Sequence, residues 1–493
     1  MSIATKSSGN PIRLSGKRAA KVRAASPAQG VSENEVSFQA ADGAELRANL
    51  GKLTPYAVTF DAGHLPIALR TSEVLNNFKI SSGNRVIYFG RAVVSNVIHT
   101  DSSLFCEAKL VSLGSETAFF LPPTESPSNL EEAYEVFFQN WQNNYRISAE
   151  FKVLVTDVQS YLTGVRHWLE GLEFGLKTQG DRQEQEHAIL NVVGPRVIDA
   201  FNRQHERFEE MIYALPLESR MAHQDFVRKH WQKLFLGSPF AHRTFHKPNG
   251  YAGDYEMMNM IYRNQPEGGS LFEKLMHLLL VSQWPARSVR YRIAHLYENI
   301  LNETARVARS EKTARIMNIG CGAAKEVQDF LKETQLSDSA DFTLVDFNEE
   351  TLLFAGGQLA EVKRQFSRRT PVRTRQMSVY ELLKQSRQDN NPDREKYDLI
   401  YCAGLFDYLP PDTCRALMGL WYDSLLPGGL MLIANMNDSK PFRNFIEFIL
   451  DWQLIYRDSR EFISLVPAHC RETTRVVAEP TSVNLFLHVR KPD

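Results

Sequence analysis

The sequence of 493 residues lacks the features of several protein classes. No apolar run approaches the roughly 18 residues that a membrane span requires, and the N-terminus has no signal-peptide apolar region. The five cysteines are scattered and without CxxC spacing, which indicates reduced thiols rather than a disulfide framework or a zinc site. A formal net charge of -1 gives no electrostatic reason to expect nucleic acid. These absences predict a soluble cytoplasmic protein that binds no metal.

A missing glycine is equally informative. Residues 314–348 follow a strand, glycine turn, helix and strand pattern, with Gly320 and Gly322 in the turn and Asp346 at the end of the second strand. Such a turn admits a ligand close to the backbone, and the acid can hold ribose hydroxyls, so we expect a nucleoside. A dinucleotide fingerprint would have a third glycine where Lys325 stands. S-adenosylmethionine has no pyrophosphate to cradle, and it is therefore the predicted cofactor.

The C-terminal residues 311–493 alternate strands and helices. Strands are predicted at 314–319, 342–346, about 372–377 and within 397–409, followed by a Pro427-Gly428-Gly429 turn, a buried strand and a terminal hairpin. This order resembles that of class I S-adenosylmethionine-dependent methyltransferases, which implies a Rossmann-like α/β domain with a seven-stranded sheet. Cofactor-binding positions are expected at the glycine turn and beyond the strand ends: Asn318, Gly320, Gly322, Glu326, Asp346, Phe347, Ser378, Val379, Ala403, Gly404, Asp407 and Tyr408.

The N-terminal part divides differently. Residues 1–32 form a basic tail predicted to be disordered, and residues 33–121 contain short strand-like runs (36–40, 44–50, 56–60, 68–75, 85–100 and 103–113) that predict a barrel of about six strands. The barrel resembles a degenerate PilZ-type domain, a family whose members often bind cyclic di-GMP. Arg70 has no arginine four residues later, and Asn96 lacks the serine pattern, so the signature for cyclic di-GMP is not matched.

The middle of the chain is predicted to be helical. Apolar positions recur at three and four through residues 122–236, whereas residues 237–310 begin with a glycine-containing segment rich in polar and aromatic groups. That segment is predicted to be a lid over the methyl acceptor, with a structural connector as the alternative. Its candidate catalytic residues are His246, Tyr251, Asp254 and Tyr255. A homodimer could form through the helical region or the barrel.

A closer resemblance covers most of the chain. The barrel, the segment KPNGYAGDYEMMNMIY at 247–262 and NIGCGAAKEV together are similar to bacterial methyltransferases that make extracellular-factor methyl esters of 3-hydroxypalmitic acid. This resemblance implies transfer of a methyl group to a carboxylate or hydroxyl oxygen of a small molecule. Alternatives are N-methylation of a natural-product intermediate, a cyclic di-GMP effector with a non-catalytic methyltransferase-like domain, and an NAD-dependent enzyme, which Lys325 and the PGG turn disfavour.

Overall fold

The computed structural model describes residues 34–493 with gaps at 40–44, 54–56, 63–68, 83–84, 100–103, 112–130, 132–133, 136–137, 140–145, 177–180, 389–394 and 441. The predicted basic tail, residues 1–32, lies outside the described residues. Within the described part the chain forms a small barrel, a helical region and a seven-stranded sheet. The multidomain arrangement expected from the sequence is therefore present.

The barrel contains six antiparallel strands in the closed order β1-β2-β3-β6-β5-β4. The strands β1 to β6 are Asn34–Gln39, Glu45–Leu53, Ala57–Asp61, Val74–Ser82, Arg85–His99 and Leu104–Val111. Its interior is filled by alternating apolar side chains, among them Phe38, Phe60 and Phe78, whose rings pack at centroid distances of 5.6 to 5.9 Å. A predicted barrel is confirmed, and its PilZ-like identity stays a prediction.

The fourth strand differs from the prediction of 68–75. It runs from Val74 to Ser82, although the pair Asn76-Asn77 favours a turn. Phe78 and Ile80 are fully buried, and burying these side chains in the barrel outweighs the turn preference of the two asparagines. Residues 71–72 instead form the turn before the strand, where Ser72 adopts a positive φ of 65°.

Eight helices follow between residues 149 and 308. In order, α1 to α8 are Ala149–Phe174, Arg182–Tyr213, Leu217–Val227, Lys233–Phe235, Pro239–His246, Tyr255–Arg263, Leu271–Val281 and Trp284–Ala308, with a π-helical turn at Arg228–Gln232 between α3 and α4. Side-chain caps start several of them: Ser238 for α5, Asp254 for α6 and Ser270 for α7 each accept a hydrogen bond from a first-turn N–H.

The sheet has the strand order β12-β13-β11-β10-β7-β8-β9. Its strands β7 to β13 are Ala314–Ile319, Ala340–Asp346, Val372–Gln376, Tyr397–Ala403, Leu425–Met436, Thr474–Ala478 and Asn484–Arg490. The pairs among β7 to β11 are parallel, and β13 is antiparallel to both neighbours. The carboxyl ends of β7, β8 and β10 consequently meet at one edge of the sheet, where open α/β sheets bind ligands.

Helices α9 to α14 connect these strands. They are Lys325–Glu333, Glu349–Phe366, Val379–Gln388, Pro411–Asp423, Arg443–Ile449 and Ser459–Ser464. The segment from Phe442 to Leu454, after β11, packs into the same hydrophobic cluster as α1 to α8. Buried Glu209 of α2 accepts hydrogen bonds from the N–H groups of Asn444 and Phe445 at the start of α13. The helical region and the sheet therefore share one core, and the cavity described below lies between them.

Candidate functional site

The glycine turn after β7 is held against the neighbouring strand by its backbone. The N–H groups of Gly320 and Cys321 both donate to the carbonyl oxygen of Val345, at 2.8 and 3.1 Å. Gly320 and Gly322 have φ values of +66° and +52°, a backbone conformation that residues with a side chain rarely adopt. A Cβ on Gly322 would meet no atom within 4 Å. The turn thus presents bare backbone to an open space, as a ligand cradle requires.

Asp346 lies at the end of β8, facing this turn. Its side chain is only 6% exposed, and its two oxygens accept hydrogen bonds from the N–H groups of Gly322 (3.2 Å) and Asn348 (3.0 Å). Burial raises the pKa of Asp346, and these N–H groups together with Arg70 oppose that rise. The carboxyl group is therefore fixed in place, with accepting capacity left for hydroxyl donors of a ligand.

A second buried acid begins the helix after the glycine turn. Glu326 accepts hydrogen bonds at one oxygen from the Asn318 amide (2.9 Å) and the Tyr401 hydroxyl (2.8 Å). Burial raises the pKa of Glu326, and the hydrogen bond from Tyr401 and the nearby charge of Arg292 are among the opposing effects. This cluster places a polar patch with one carboxylate on the cavity wall.

The end of β10 forms the opposite side of the glycine turn. Gly404 has a φ of +99°, and the Arg292 guanidinium lies so close that a Cβ at position 404 would be 3.1 Å from its Nη1 atom. Asp407 is buried and accepts a 2.6 Å hydrogen bond from the N–H of Met436. Burial raises the pKa of Asp407 to about 6, against the opposing N–H of Met436 and the charge of Arg292.

Two tyrosines of the predicted lid reach the same place. The ring of Tyr251 contacts Phe347 edge-on at 5.0 Å between centroids, and Tyr255 donates a 2.6 Å hydrogen bond to Glu350. Burial raises the pKa of Tyr251 far above its ordinary value, and the hydrogen bond to Glu350 raises the pKa of Tyr255 to about 12. Both phenols are therefore protonated near neutral pH and can donate hydrogen bonds, but not act as bases.

These groups surround one cavity of about 150 Å³. One wall is formed at the carboxyl ends of β7, β8 and β10. The other wall belongs to the hydrophobic cluster of the helical region and consists largely of apolar side chains: Phe240, Ile261, Leu280, Ala286, Val289, Met436, Phe442, Ile446, Leu450, Trp452 and Leu454. The cavity therefore has a polar end at the sheet and an apolar end among the helices.

The structure brings most of the sequence-predicted residues to this cavity. Those that line it are Tyr251, Tyr255, Asn318, Gly320, Gly322, Glu326, Asp346, Phe347, Ala403, Gly404, Asp407 and Tyr408. The four remaining residues do not line it: His246, Asp254, Ser378 and Val379. The Tyr408 hydroxyl accepts from the Trp452 indole and donates to the carbonyl of Ala252, so it joins the lid to the segment after β11.

The four residues outside the cavity have structural partners. Asp254 caps α6 and pairs with Arg243 at 2.8 Å, and the His246 ring contacts the His242 ring in a tilted arrangement, at 4.2 Å between centroids. Ser378 exchanges hydrogen bonds with Glu381 at the start of α11, and Val379 is buried in the core on the other side of the sheet. Their residue types led us to expect catalytic or cofactor-binding roles, whereas their contacts in the structure are those of helix capping and packing.

Sequence reasoning missed the cation of the cavity. Arg292 lies on α8, more than 25 positions before the glycine turn, and its side chain is 7% exposed. It belongs to a long amphipathic helix, in which an arginine ordinarily marks the solvent face. Only its position among the otherwise apolar residues Ala286, Val289 and Leu296, at helical spacing, could have singled it out.

Comparison with known proteins gives one family match. Residues 248–449 match a family model described as "Putative methyltransferase", and the matched range contains the lid, the glycine turn and the strand edge. The enzyme class expected from the sequence, an S-adenosylmethionine-dependent methyltransferase, is confirmed. No curated protein matches the chain at a significant level.

Solved structures show distant likenesses. A possible exported protein from Bordetella parapertussis is 14% identical with a TM-score of 0.39, covering 61% of this chain and 97% of its own. The N-methyltransferase NodS from Bradyrhizobium japonicum, in complex with S-adenosyl-L-homocysteine, is 15% identical with a TM-score of 0.27, covering 41% and 87%. Magnesium protoporphyrin IX methyltransferase from Synechocystis is 8% identical with a TM-score of 0.31, covering 47% and 93%.

Among the described residues no helix is both long enough and apolar enough to cross a membrane. A cytoplasmic location stays a prediction.

Proposed function

We propose that this protein transfers the methyl group of S-adenosylmethionine to a carboxylate oxygen of a small acceptor with an apolar body, forming a methyl ester. The observation that carries the acceptor class is Arg292. Its guanidinium lines the cavity beside Gly404 and Met258. The charges of Glu326 and Asp407 interact with it, but no carboxylate of the described residues lies within ion-pair distance of it. Burying an unpaired cation is costly, so an anionic ligand at this position would be strongly favoured.

The cavity residues fit the cofactor. Gly320 and Gly322 leave open backbone, Asp346 offers accepting oxygens to ribose hydroxyls, and Phe347 offers an apolar face next to it. Glu326 can accept hydrogen bonds from an ammonium group. In this assignment the strand edge binds the cofactor, and the apolar wall among α5 to α8 and α13 receives the body of the acceptor.

The residues of the cavity suit a carboxylate better than a hydroxyl acceptor. The cofactor supplies an electrophilic methyl group on a sulfonium, and an in-line attack requires an oxygen with a free electron pair. A carboxylate is ionised at pH 7 and needs no base, whereas a hydroxyl does. No histidine lines the described cavity wall, and Tyr251 and Tyr255 stay protonated. Asp407 is the lining acid with a pKa near neutrality, but it is buried and already accepts the N–H of Met436. The protein then has to orient the two reactants and exclude water.

The residue-level roles follow from position. Arg292 would hold the acceptor carboxylate by a charge-assisted hydrogen bond, and the phenols of Tyr251 and Tyr255 would close the cavity from the lid side. We propose that the domains begin at residues 33, 122, 237 and 311, as the sequence predicts. The apolar segment 442–454 differs from this division, because it packs with the helical region.

The test uses labelled S-adenosylmethionine and pairs of acceptors with the same apolar chain, one ending in a carboxylate and one in a hydroxyl. We expect label in the carboxylate product only, released as methanol by mild alkali because esters hydrolyse and ethers do not. Arg292→Met should raise the KM for the acceptor at least tenfold, with the affinity for S-adenosylhomocysteine unchanged. Arg287→Met is the matched control, since Arg287 lies on the same helix over the Trp284 ring. Alkali-stable product would reject the ester, and lost S-adenosylhomocysteine binding in Arg292→Met would assign the arginine to the cofactor.

A further inference from the structure

The N-terminal barrel contacts the rest of the chain at the two segments that flank the cavity. The Ser72 hydroxyl donates to the carbonyl of Gln453 at 2.7 Å and accepts from the N–H of the same residue at 2.6 Å. The N–H of Val74 donates to the carbonyl of Gly250 at 2.8 Å. Gln453 and Gly250 are each adjacent in sequence to residues that line the cavity. The barrel is therefore docked beside the site.

One barrel side chain enters the site itself. Arg70, two residues before the docking serine, lines the cavity, and its guanidinium carbon lies 4.0 Å from the centroid of the Phe347 ring. Phe347 directly follows Asp346 and is contacted by Tyr251 of the lid as well. The ring of Phe347 thus has a cation from the barrel and a tyrosine from the lid against it, which fixes its orientation.

We propose that the barrel completes the nucleoside-binding part of the cavity through Arg70, so that binding of S-adenosylmethionine and docking of the barrel stabilise each other. The inference rests on the function proposed above for this cavity. Arg70 is a positioning residue in this scheme: it holds Phe347 in place, and its positive charge favours the ionised form of Asp346, which is the form that accepts two hydroxyl donors. Coupling between two binding equilibria is reciprocal, so each must strengthen the other.

Two features support the proposal. Burial raises the pKa of Asp346, and Arg70 is among the groups that oppose this rise, together with the backbone N–H groups of Asn348 and Gly322. The backbone N–H of Arg70 also donates to the Glu73 carboxylate at 2.9 Å, which anchors the turn from which the side chain extends. Any movement of the barrel away from Gln453 would therefore withdraw Arg70 from Phe347.

The experiment measures S-adenosylhomocysteine binding to the full chain by isothermal titration calorimetry. We expect Arg70→Ala to weaken binding about tenfold, and Arg70→Lys to restore part of the loss because it keeps the charge. Arg47→Ala is the matched control: Arg47 is a barrel arginine that is 65% exposed and pairs with Glu35 and Glu45. It should bind as the wild type does.

A second measurement starts from the wild-type protein. Hydrogen exchange of residues 69–82 in the wild-type protein should slow when S-adenosylhomocysteine is added, and this protection should be reduced in Arg70→Ala. If the wild type binds the ligand but residues 69–82 are not protected, or if Arg70→Ala binds with unchanged affinity, the inference is wrong while the proposed function stands. If the wild type does not bind S-adenosylhomocysteine at all, the proposed function fails and the inference fails with it.

Discussion

Gly253 of the lid and Tyr408 after β10 are packed so closely that a Cβ on the glycine would lie 2.7 Å from the tyrosine hydroxyl oxygen. Gly253 also has a φ of +80°. We therefore expect Gly253→Ala to destabilise the lid by about 2 kcal/mol, of which about 1 kcal/mol is backbone strain, and to lower turnover at least tenfold. The measurement is methyl transfer together with the urea midpoint.

The matched control is Gly250→Ala. Gly250 has nearly the same φ, +81°, but a Cβ there would meet no atom within 4 Å. It carries the backbone strain without the steric clash, so the difference between the two variants isolates the contact with Tyr408. Equal turnover in both variants would show that the Gly253 contact does not matter for the reaction.

Asp346→Asn should weaken cofactor binding strongly and destabilise the protein slightly. The substitution replaces one carboxylate oxygen by an NH2 group, so the N–H of Gly322 or of Asn348 loses its acceptor, and the ribose hydroxyls lose an acceptor as well. We expect roughly a hundredfold weaker binding of S-adenosylhomocysteine and a melting temperature slightly below that of the wild type. Asp341→Asn is the control, because Asp341 lies at the other end of the same strand and pairs with Arg373. Wild-type affinity in Asp346→Asn would contradict the assignment.

The sheet end of the site was predictable because its signals are local. Gly320, Gly322 and Asp346 are specified by a turn and by the end of an apolar run within 30 residues, and the structure places all three on one cavity. The alternation of strands and helices likewise predicted the positions of β7 and β10 to within a few residues. Periodicity and turn chemistry are short-range properties, and they suffice where a site is built from consecutive elements.

The acceptor end was not predictable by the same means. Arg292 and Trp452 come from elements separated by 160 positions, and only tertiary packing brings them to one cavity. In the lid, composition alone could not distinguish Asp254, which caps a helix, from Tyr251, which faces the cavity. Capping and catalysis use the same polar side chains, so the direction of a side chain has to be seen.

Asp407 should make the free energy of unfolding decrease as the pH rises from about 4 to about 6. Its pKa is raised from 3.8 to about 6 by burial, so the folded state binds more protons than the unfolded state in that window. Stability is then highest below the unfolded pKa and decreases as the pH rises through the folded pKa, by roughly 3 kcal/mol at most. Asp407→Asn keeps an acceptor for the N–H of Met436 and removes this titration.

The measurement is the urea-unfolding free energy of both proteins at pH 4, 5, 6 and 7. Because other buried acids such as Glu326 and Asp346 contribute slopes of the same sign, the informative quantity is the difference between wild type and variant. That difference should move in favour of Asp407→Asn as the pH rises and level off above pH 6. A difference that does not depend on pH would show that Asp407 does not titrate in this range.

Asp451 joins three parts of the chain and should be costly to neutralise. It pairs with Arg228 of the helical region at 2.8 Å and with buried Lys247 of the lid segment at 3.6 Å. Among the described residues Lys247 has no other carboxylate within 4 Å. Burial alone would raise the pKa of Asp451, but Lys247 and Arg228 outweigh it and hold that pKa well below its usual value. Its contribution is therefore present above the unfolded pKa and lost in acid.

Asp451→Asn should lower the urea-unfolding free energy at pH 7 by about 3 to 5 kcal/mol, since it leaves the Lys247 cation buried and unpaired. Replacing both partners, in Asp451→Asn with Lys247→Met, should recover part of that loss, because the isolated charge is removed as well. Asp412→Asn, which breaks an exposed pair with Arg415, should change stability little. If the double variant were no more stable than Asp451→Asn, the cost would lie in the hydrogen bond to Arg228 rather than in the unpaired lysine.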